Sequence, residues 1–363
     1  MGILKGPLTF TRYEIAENLP DRFLDFARER LVRHAFSGLE TSERTKIVGW
    51  TGLEDILDTR FDDSRHVKGD FLLFSLRVDR KTVPASLLKV EAMTAERRYL
   101  AETGRDRLYR EQKQDIRDRL HLSILQQSLP IPSFYDVCWS LSGQWLVFTS
   151  LAELANLDFL EIFKETFGFI PVPYLPWERP GRHLTPNDAE AHNSAIDVKT
   201  AGREFLTWLW FKSEERNGAI NLPVRGDEIE VVFLRRLVLE SGNGTDVETV
   251  TCHGTNTDLK EGKEALRQGK KIREGRIRLR IDADTWEFTF KADTYGFQSL
   301  KLPEVVEATD EKDTDSRCLE RIYLMERAVS AMDDLFALFL TIRQSERWTN
   351  EEHPRMNKWL QAY

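Results

Sequence analysis

Three arginines alternate along the run Arg273–Asp282: Arg276, Arg278 and Arg280. Alternate residues of an extended chain share a face, so these would present guanidinium groups about 7 Å apart along a strand. That is close to the spacing of successive phosphates on one nucleic-acid strand, and a guanidinium can grip a phosphate through two parallel hydrogen bonds. Lys263, Arg267, Lys270, Lys271 and Arg273 precede the row and extend it into a candidate phosphate track. An exposed sheet face, or a surface for an acidic protein, would use the same residues. Just beyond, Asp282 and Asp284 would share one strand face, as paired carboxylates holding two metal ions must. The string Asp282-Ala-Asp-Thr285 reads more simply as a hairpin turn.

A second concentration of charge lies earlier. An apolar strand containing Phe71–Phe74 runs through Arg77, Arg80 and Lys81 to Pro84, which suits the first turn of a helix. Between Ala95 and Arg119 more than half the residues are charged, with Arg97, Arg98, Arg105, Arg107, Arg110, Lys113, Arg117 and Arg119 set among carboxylates. Leu100, Leu108, Ile116 and Leu120 leave only a narrow apolar stripe, so residues 83–132 are expected to project as a helical arm, divided at Thr103-Gly104. A solvated helical hairpin laced with i,i+4 ion pairs would have the same composition. Hardly any Asn or Gln stands among the candidate DNA contacts to read base edges, so any nucleic-acid binding should be indifferent to sequence.

Other chemistry finds little support. The chain has no Walker loop, no G-x-G-x-x-G, no G-x-S-x-G and no H-E-x-x-H. His183 and His192 are near neighbours in a polar, proline-punctuated connection, a poor setting for a metal. Cys138, Cys252 and Cys318 are odd in number and widely spaced, against disulfides and against a cysteine-built zinc site. No catalytic residue, metal or cofactor is expected.

The 363 residues are 41% hydrophobic and 31% charged, enough for two or three domains and an ample core. No apolar run approaches the length of a membrane span, and the opening Met1-Gly-Ile-Leu-Lys-Gly-Pro lacks the layout of a signal peptide, so a cytoplasmic protein without a membrane partner is expected. A net charge of -8 argues against a uniformly basic nucleic-acid binder but not against segregated charge. Acidic residues cluster at Glu54–Asp63, Glu153–Glu165 and Glu304–Asp315, so a surface acidic outside and basic inside would give this total.

The periodicity places strands at residues 3–13, 47–50, 71–78, 229–239, 273–282 and 285–291, and a hairpin of 135–139 with 145–149 around Ser142-Gly143. Helices are expected at 21–34, 151–167, 201–213 and 318–343, with a short basic one at 263–271. The helix at 201–213 carries Phe205, Leu206, Trp208, Leu209 and Trp210, which implies either an interface or burial on both sides. This yields an α+β fold with two helix-backed mixed sheets. Residues 1–82 with 133–177 form the first body, 178–303 the second, and 304–363 an amphipathic helix and tail.

The order of features resembles the bacterial recombination-associated RdgC family. The likeness rests on Val48-Gly-Trp50, on Gly69-Asp-Phe-Leu-Leu-Phe-Ser-Leu-Arg77 with Lys81-Thr-Val-Pro84, on the charged arm closing at Ile124–Pro130, and on Phe169-Ile-Pro-Val-Pro173. Gly269-Lys270 and Leu300-Lys-Leu302 extend it into the second half, while Asn217–Leu259 aligns poorly. The resemblance implies a cofactor-free, nucleoid-associated protein that binds duplex DNA as a ring-shaped homodimer and restrains RecA-driven recombination. DNA would be lined by Arg77, Arg80, Lys81, Arg105, Arg107, Arg110, Lys263, Lys270, Lys271, Arg273, Arg276 and Arg278. The family's Leu-Pro-Arg-Ala-Phe ring closure corresponds to Ser128-Leu-Pro-Ile-Pro-Ser-Phe134, which lacks the Arg, leaving Ile131 and Phe134, with Trp208 and Trp210, to hold the dimer. A metal-dependent nuclease built on Asp282 and Asp284 and a protein-only scaffold are the alternatives.

Overall fold

The computed structural model describes residues 2–38, 45–62, 64–178, 200–222, 228–241, 247–254, 260–304 and 314–362. In chain order the elements of the first half are β1 (Leu8–Glu14), α1 (Phe23–Arg33), β2 (Lys46–Thr51), β3 (Val67–Lys68), β4 (Phe71–Arg80), α2 (Ala85–Thr103), α3 (Arg110–Gln127), β5 (Ile131–Ser140), β6 (Trp145–Phe148), α4 (Glu153–Phe167) and β7 (Val172–Pro173). The second half contributes α5 (Ala201–Glu214), β8 (Ala219–Asn221), β9 (Glu228–Glu240), β10 (Thr249–His253), α6 (Lys260–Arg267), β11 (Lys271–Ile281), β12 (Asp284–Lys291), β13 (Gly296–Lys301), α7 (Thr314–Gln344) and α8 (His353–Gln361).

Two mixed sheets were expected; instead one sheet runs through both halves in the order β10-β9-β11-β12-β13-β1-β6-β5-β4-β2, and every pairing between these named strands is antiparallel. The junction is β1. Leu8 and Phe10 pair, with a bulge between them, with Leu300 and Phe297 of β13, and Thr11–Glu14 pair with β6. Sequence periodicity identifies strands but not their neighbours, so this join was invisible in the chain.

Alternation distributes the core. Leu72, Phe74, Leu76, Val137 and Trp139 point toward α1 and α4, where Trp50, Phe159, Phe163 and Phe167 complete an aromatic cluster. Leu73, Cys138 and Val147, on the opposite face, belong instead to the core containing α7. At 31 residues α7 is roughly 46 Å long and reaches across both halves. Its Arg321 donates to the carbonyls of Ile3 and Gly6, and further along the Leu324 and Met332 carbonyls accept from Trp286 Nε1 (3.0 Å) and Tyr295 Oη (2.9 Å). A bidentate pair from Arg12 to Asp333 (2.9 and 2.8 Å), with Tyr174 stacked 3.9 Å from the guanidinium, ties β1 to the same helix.

The motif Val48-Gly-Trp50 has a structural cause. A Cβ on Gly49 would lie 2.4 Å from the Phe36 backbone, and the fully buried Trp50 donates to Thr166 Oγ1 at 2.7 Å. Only glycine permits that approach. His183, His192 and most of the acidic segment 304–315 lie outside the described residues.

Candidate nucleic-acid interface

Helices α2 and α3 form a hairpin joined by residues 104–109, with Gly104 in the left-handed conformation (φ 64°) that the turn requires. The two helices pack on each other, burying Leu88 and Ala92 of α2 and no residue of α3. Nine basic and seven acidic residues lie between Ala85 and Gln127, against a chain that carries -8. The i,i+4 lacing is sparse: Arg119 pairs with Asp115 at 2.8 Å, and Lys113 reaches Glu96 across the hairpin at 3.6 Å. Arg97, Arg98, Arg105, Arg110 and Arg117 are exposed and have no ion-pair or hydrogen-bond partner among the described residues. Arg107 is also exposed, its guanidinium 5.9 Å from the Tyr109 ring. Unpaired arginines crowded onto one slender element repel one another and are stabilised by any polyanion laid along them.

At the base of the hairpin the cations are engaged. Arg77 makes a bidentate pair with Asp79 (2.7 and 2.8 Å) and lies between the rings of Phe36 (4.0 Å) and Phe134 (5.7 Å). Arg80 pairs with Asp158 at 2.9 Å, while Lys81 Nζ donates to the Gln126 carbonyl (3.1 Å) and so ties the exit of β4 to the end of α3.

On β11 the expected alternation holds, and the row of guanidinium groups exists. Each member, however, faces a carboxylate from a neighbouring strand. Arg276 and Arg278 share Glu287 of β12 (3.6 and 2.8 Å), and Arg280 meets Glu230 of β9. Arg273 pairs with Glu240, Lys271 lies 3.8 Å from Glu204, and Lys270, itself buried, holds Glu248 at 2.7 Å. Cross-strand register produces this pattern, because Arg278 stands opposite Glu287 and Arg280 opposite Glu230. Arg278 in turn holds the Glu287 carboxyl below its ordinary value.

Lys263 corrects the expectation most sharply. Its side chain is 1% exposed, paired with Glu214 at 2.6 Å and packed 4.8 Å from the Trp359 ring, so it cannot reach a phosphate in this fold. Trp208 and Trp210 are likewise no interface: they are 0% and 1% exposed, because α5 is covered by β9 and β11 on one side and by α7 and α8 on the other. Ile131, at 59% exposure, and the half-buried Phe134 do lie at the surface, beside the exposed Leu129 at the foot of the hairpin.

Asp282 and Asp284 form the β11–β12 turn, with Asp282 in a left-handed conformation (φ 53°). Arg327 of α7 pairs with both, at 3.5 Å to Asp282. Among the described residues no group of three or more His, Cys, Asp or Glu is arranged to hold a metal ion.

Residues 11–186, from within β1 through the hairpin to just past β7, match the family model described as "Putative exonuclease, RdgC". Over that segment the chain is similar to the RdgC family. No curated protein matches it. The family match therefore contains Gly49, Trp50, Gly69 and the whole α2–α3 hairpin, whereas β11, α5 and α7 lie beyond it. Arg97, Arg98 and Arg117 were legible in the sequence as part of the charged stretch. Their lack of partners was not, since Arg98 and Glu102 stand at pairing distance along the helix yet form no ion pair.

Proposed function

We propose that this chain is a DNA-binding protein of recombination, indifferent to base sequence, whose principal DNA contacts are the arginines of the α2–α3 hairpin. The observation that carries the reading is the contrast between two basic segments: the hairpin's Arg97, Arg98, Arg105, Arg110 and Arg117 are exposed and unpaired, whereas the β11 row is neutralised by Glu230, Glu240 and Glu287. In this reading the hairpin is a projecting arm, two copies of the chain close a ring around duplex DNA, and Ile131 and Phe134 contribute to the contact between them. Coating or encircling the duplex would restrain RecA-dependent strand exchange. No cofactor takes part.

Fluorescence anisotropy with short duplexes of unrelated sequence tests the DNA contact. Replacing Arg105, Arg107 and Arg110 with Gln should weaken binding to each duplex by a similar factor, and unchanged affinity would sink the assignment. Sedimentation with and without a duplex tests the ring, which a strictly monomeric species excludes. The family description favours a second reading, an exonuclease. Divalent-dependent release of nucleotides from DNA by the pure protein, abolished by Asp282→Ala, would replace the first reading with that one.

A further inference from the structure

The far end of the second half contains a cavity of about 280 Å³ bordered by the end of α5, by β8, by Leu338 and Ile342 of α7, and by Arg347 and Arg355 on either side of the π-helical turn Trp348–Glu352. Four cationic side chains, Lys212, Arg216, Arg347 and Arg355, converge on it. Two carboxylates sit within this cluster. Glu352, fully buried, is held by Lys212 (2.7 Å) and Arg347 (3.4 Å), and Glu215 by Lys212 (2.9 Å) and Arg355. With the exposed Glu351, 3.5 Å from Arg347, counted as well, one positive charge is left over. It is that of Arg216, whose side chain has no ion-pair or hydrogen-bond partner among the described residues.

Two further features point to a ligand. Trp208 lines the cavity, is fully buried, and its indole N–H has no acceptor. Buried donors are nearly always satisfied, and the residue that carries this one lines the cavity beside the cations. Arg216, Asn217 and Gly218 all adopt left-handed backbone conformations (φ 45°, 56° and 85°). Such a conformation is ordinary for Gly and tolerated by Asn but unfavourable for Arg, where it persists because the surroundings enforce it, a situation concentrated at functional sites. Here it fixes the backbone of the unpaired Arg216 at the cavity's edge.

We propose that this cavity binds the phosphate group of a small molecule, either free phosphate or a phosphomonoester. Guanidinium groups match phosphate oxygens bidentately, the indole N–H supplies a neutral donor, and the surplus positive charge of Arg216 favours an anion. The volume lies at the small end for ligand pockets, too little for a nucleic-acid duplex. The site is separate from the hairpin and does not depend on the DNA-binding reading.

Calorimetric titration of the full chain with inorganic phosphate, at ionic strength held constant with sodium chloride and with no DNA present, tests the proposal. AMP serves as the phosphomonoester arm. Saturable binding of one ligand per chain is expected, weakened about tenfold or more by Arg216→Ala, whose exposed side chain can be removed without unfolding the protein. In ¹⁵N spectra the Trp208 indole resonance, assigned by its loss in Trp208→Phe, should move on titration. Equal or tighter binding of phosphate than of AMP marks a free-ion site, and tighter binding of AMP a phosphomonoester site; both support the inference. Absence of saturable binding by either ligand, or binding that Arg216→Ala leaves unchanged, overturns it.

Discussion

Salt dependence separates the two basic segments quantitatively. Each phosphate neutralised by a cation contributes about 0.9 to the slope of log K against log salt on duplex DNA. If Arg105, Arg107 and Arg110 each neutralise one phosphate, replacing all three with Gln lowers the slope by about 2.7 for each hairpin engaged. Across a fourfold rise in salt the gap between wild type and variant then closes by about 40-fold, well outside the error of an anisotropy titration. The matching triple, Lys270, Arg276 and Arg278 to Ala, would give the same 2.7 if these residues were free, as the sequence alone suggests. In the structure they already hold Glu248 and Glu287, so their removal should leave the slope nearly unchanged. Both variants should be measured on two unrelated duplexes over the same salt range. A slope that falls with the β11 triple and not with the hairpin triple would refute the argument from charge pairing, and β11 would become the DNA path.

Further outcomes follow from the packing. Asp333→Ala strands the Arg12 guanidinium, which is 13% exposed, and should cost about 3–5 kcal/mol in urea unfolding, whereas Arg12→Met with Asp333→Leu should recover much of that loss. Trp210→Ala should cost a similar ~3–5 kcal/mol and leave the oligomeric state alone, while Ile131→Asp should leave stability within about 0.5 kcal/mol and, if the ring forms, change the sedimentation coefficient. Burial, with Asp70 nearby, raises the Glu326 carboxyl above its ordinary 4.5, so the native state binds more protons there than the unfolded chain and stability falls as pH rises from about that value. Glu326→Gln should therefore stabilise the protein at neutral pH and flatten that decline, which chemical denaturation at a series of pH values would reveal. Gly49→Ala forces the strand away from Phe36 and should lower the thermal midpoint sharply, with DNA affinity of the remaining folded protein unchanged.

The sequence determined the local elements wherever periodicity was strong. The β4 strand, the divided helical hairpin, the β5–β6 turn, α4, α5 and the long α7 all stand within a few residues of their expected places, because burial on one face imposes a period that the residues themselves record. The short strands β3, β7, β8 and β10, the interior strand β13 and the terminal α8 were missed, since each is too brief or too dependent on a distant partner to leave a pattern. The hairpin's charge was legible too. What tertiary structure alone decided is which charges are free: Arg280 and Lys263 read as basic residues in the chain, yet one stands opposite Glu230 of the distant β9 and the other is buried between Glu214 and Trp359. An ion pair between elements distant in sequence is set by register and packing, and neither is written into a local spacing. The same holds for the tryptophans of α5, whose burial on both sides depends on α7 and α8 returning from more than a hundred residues away.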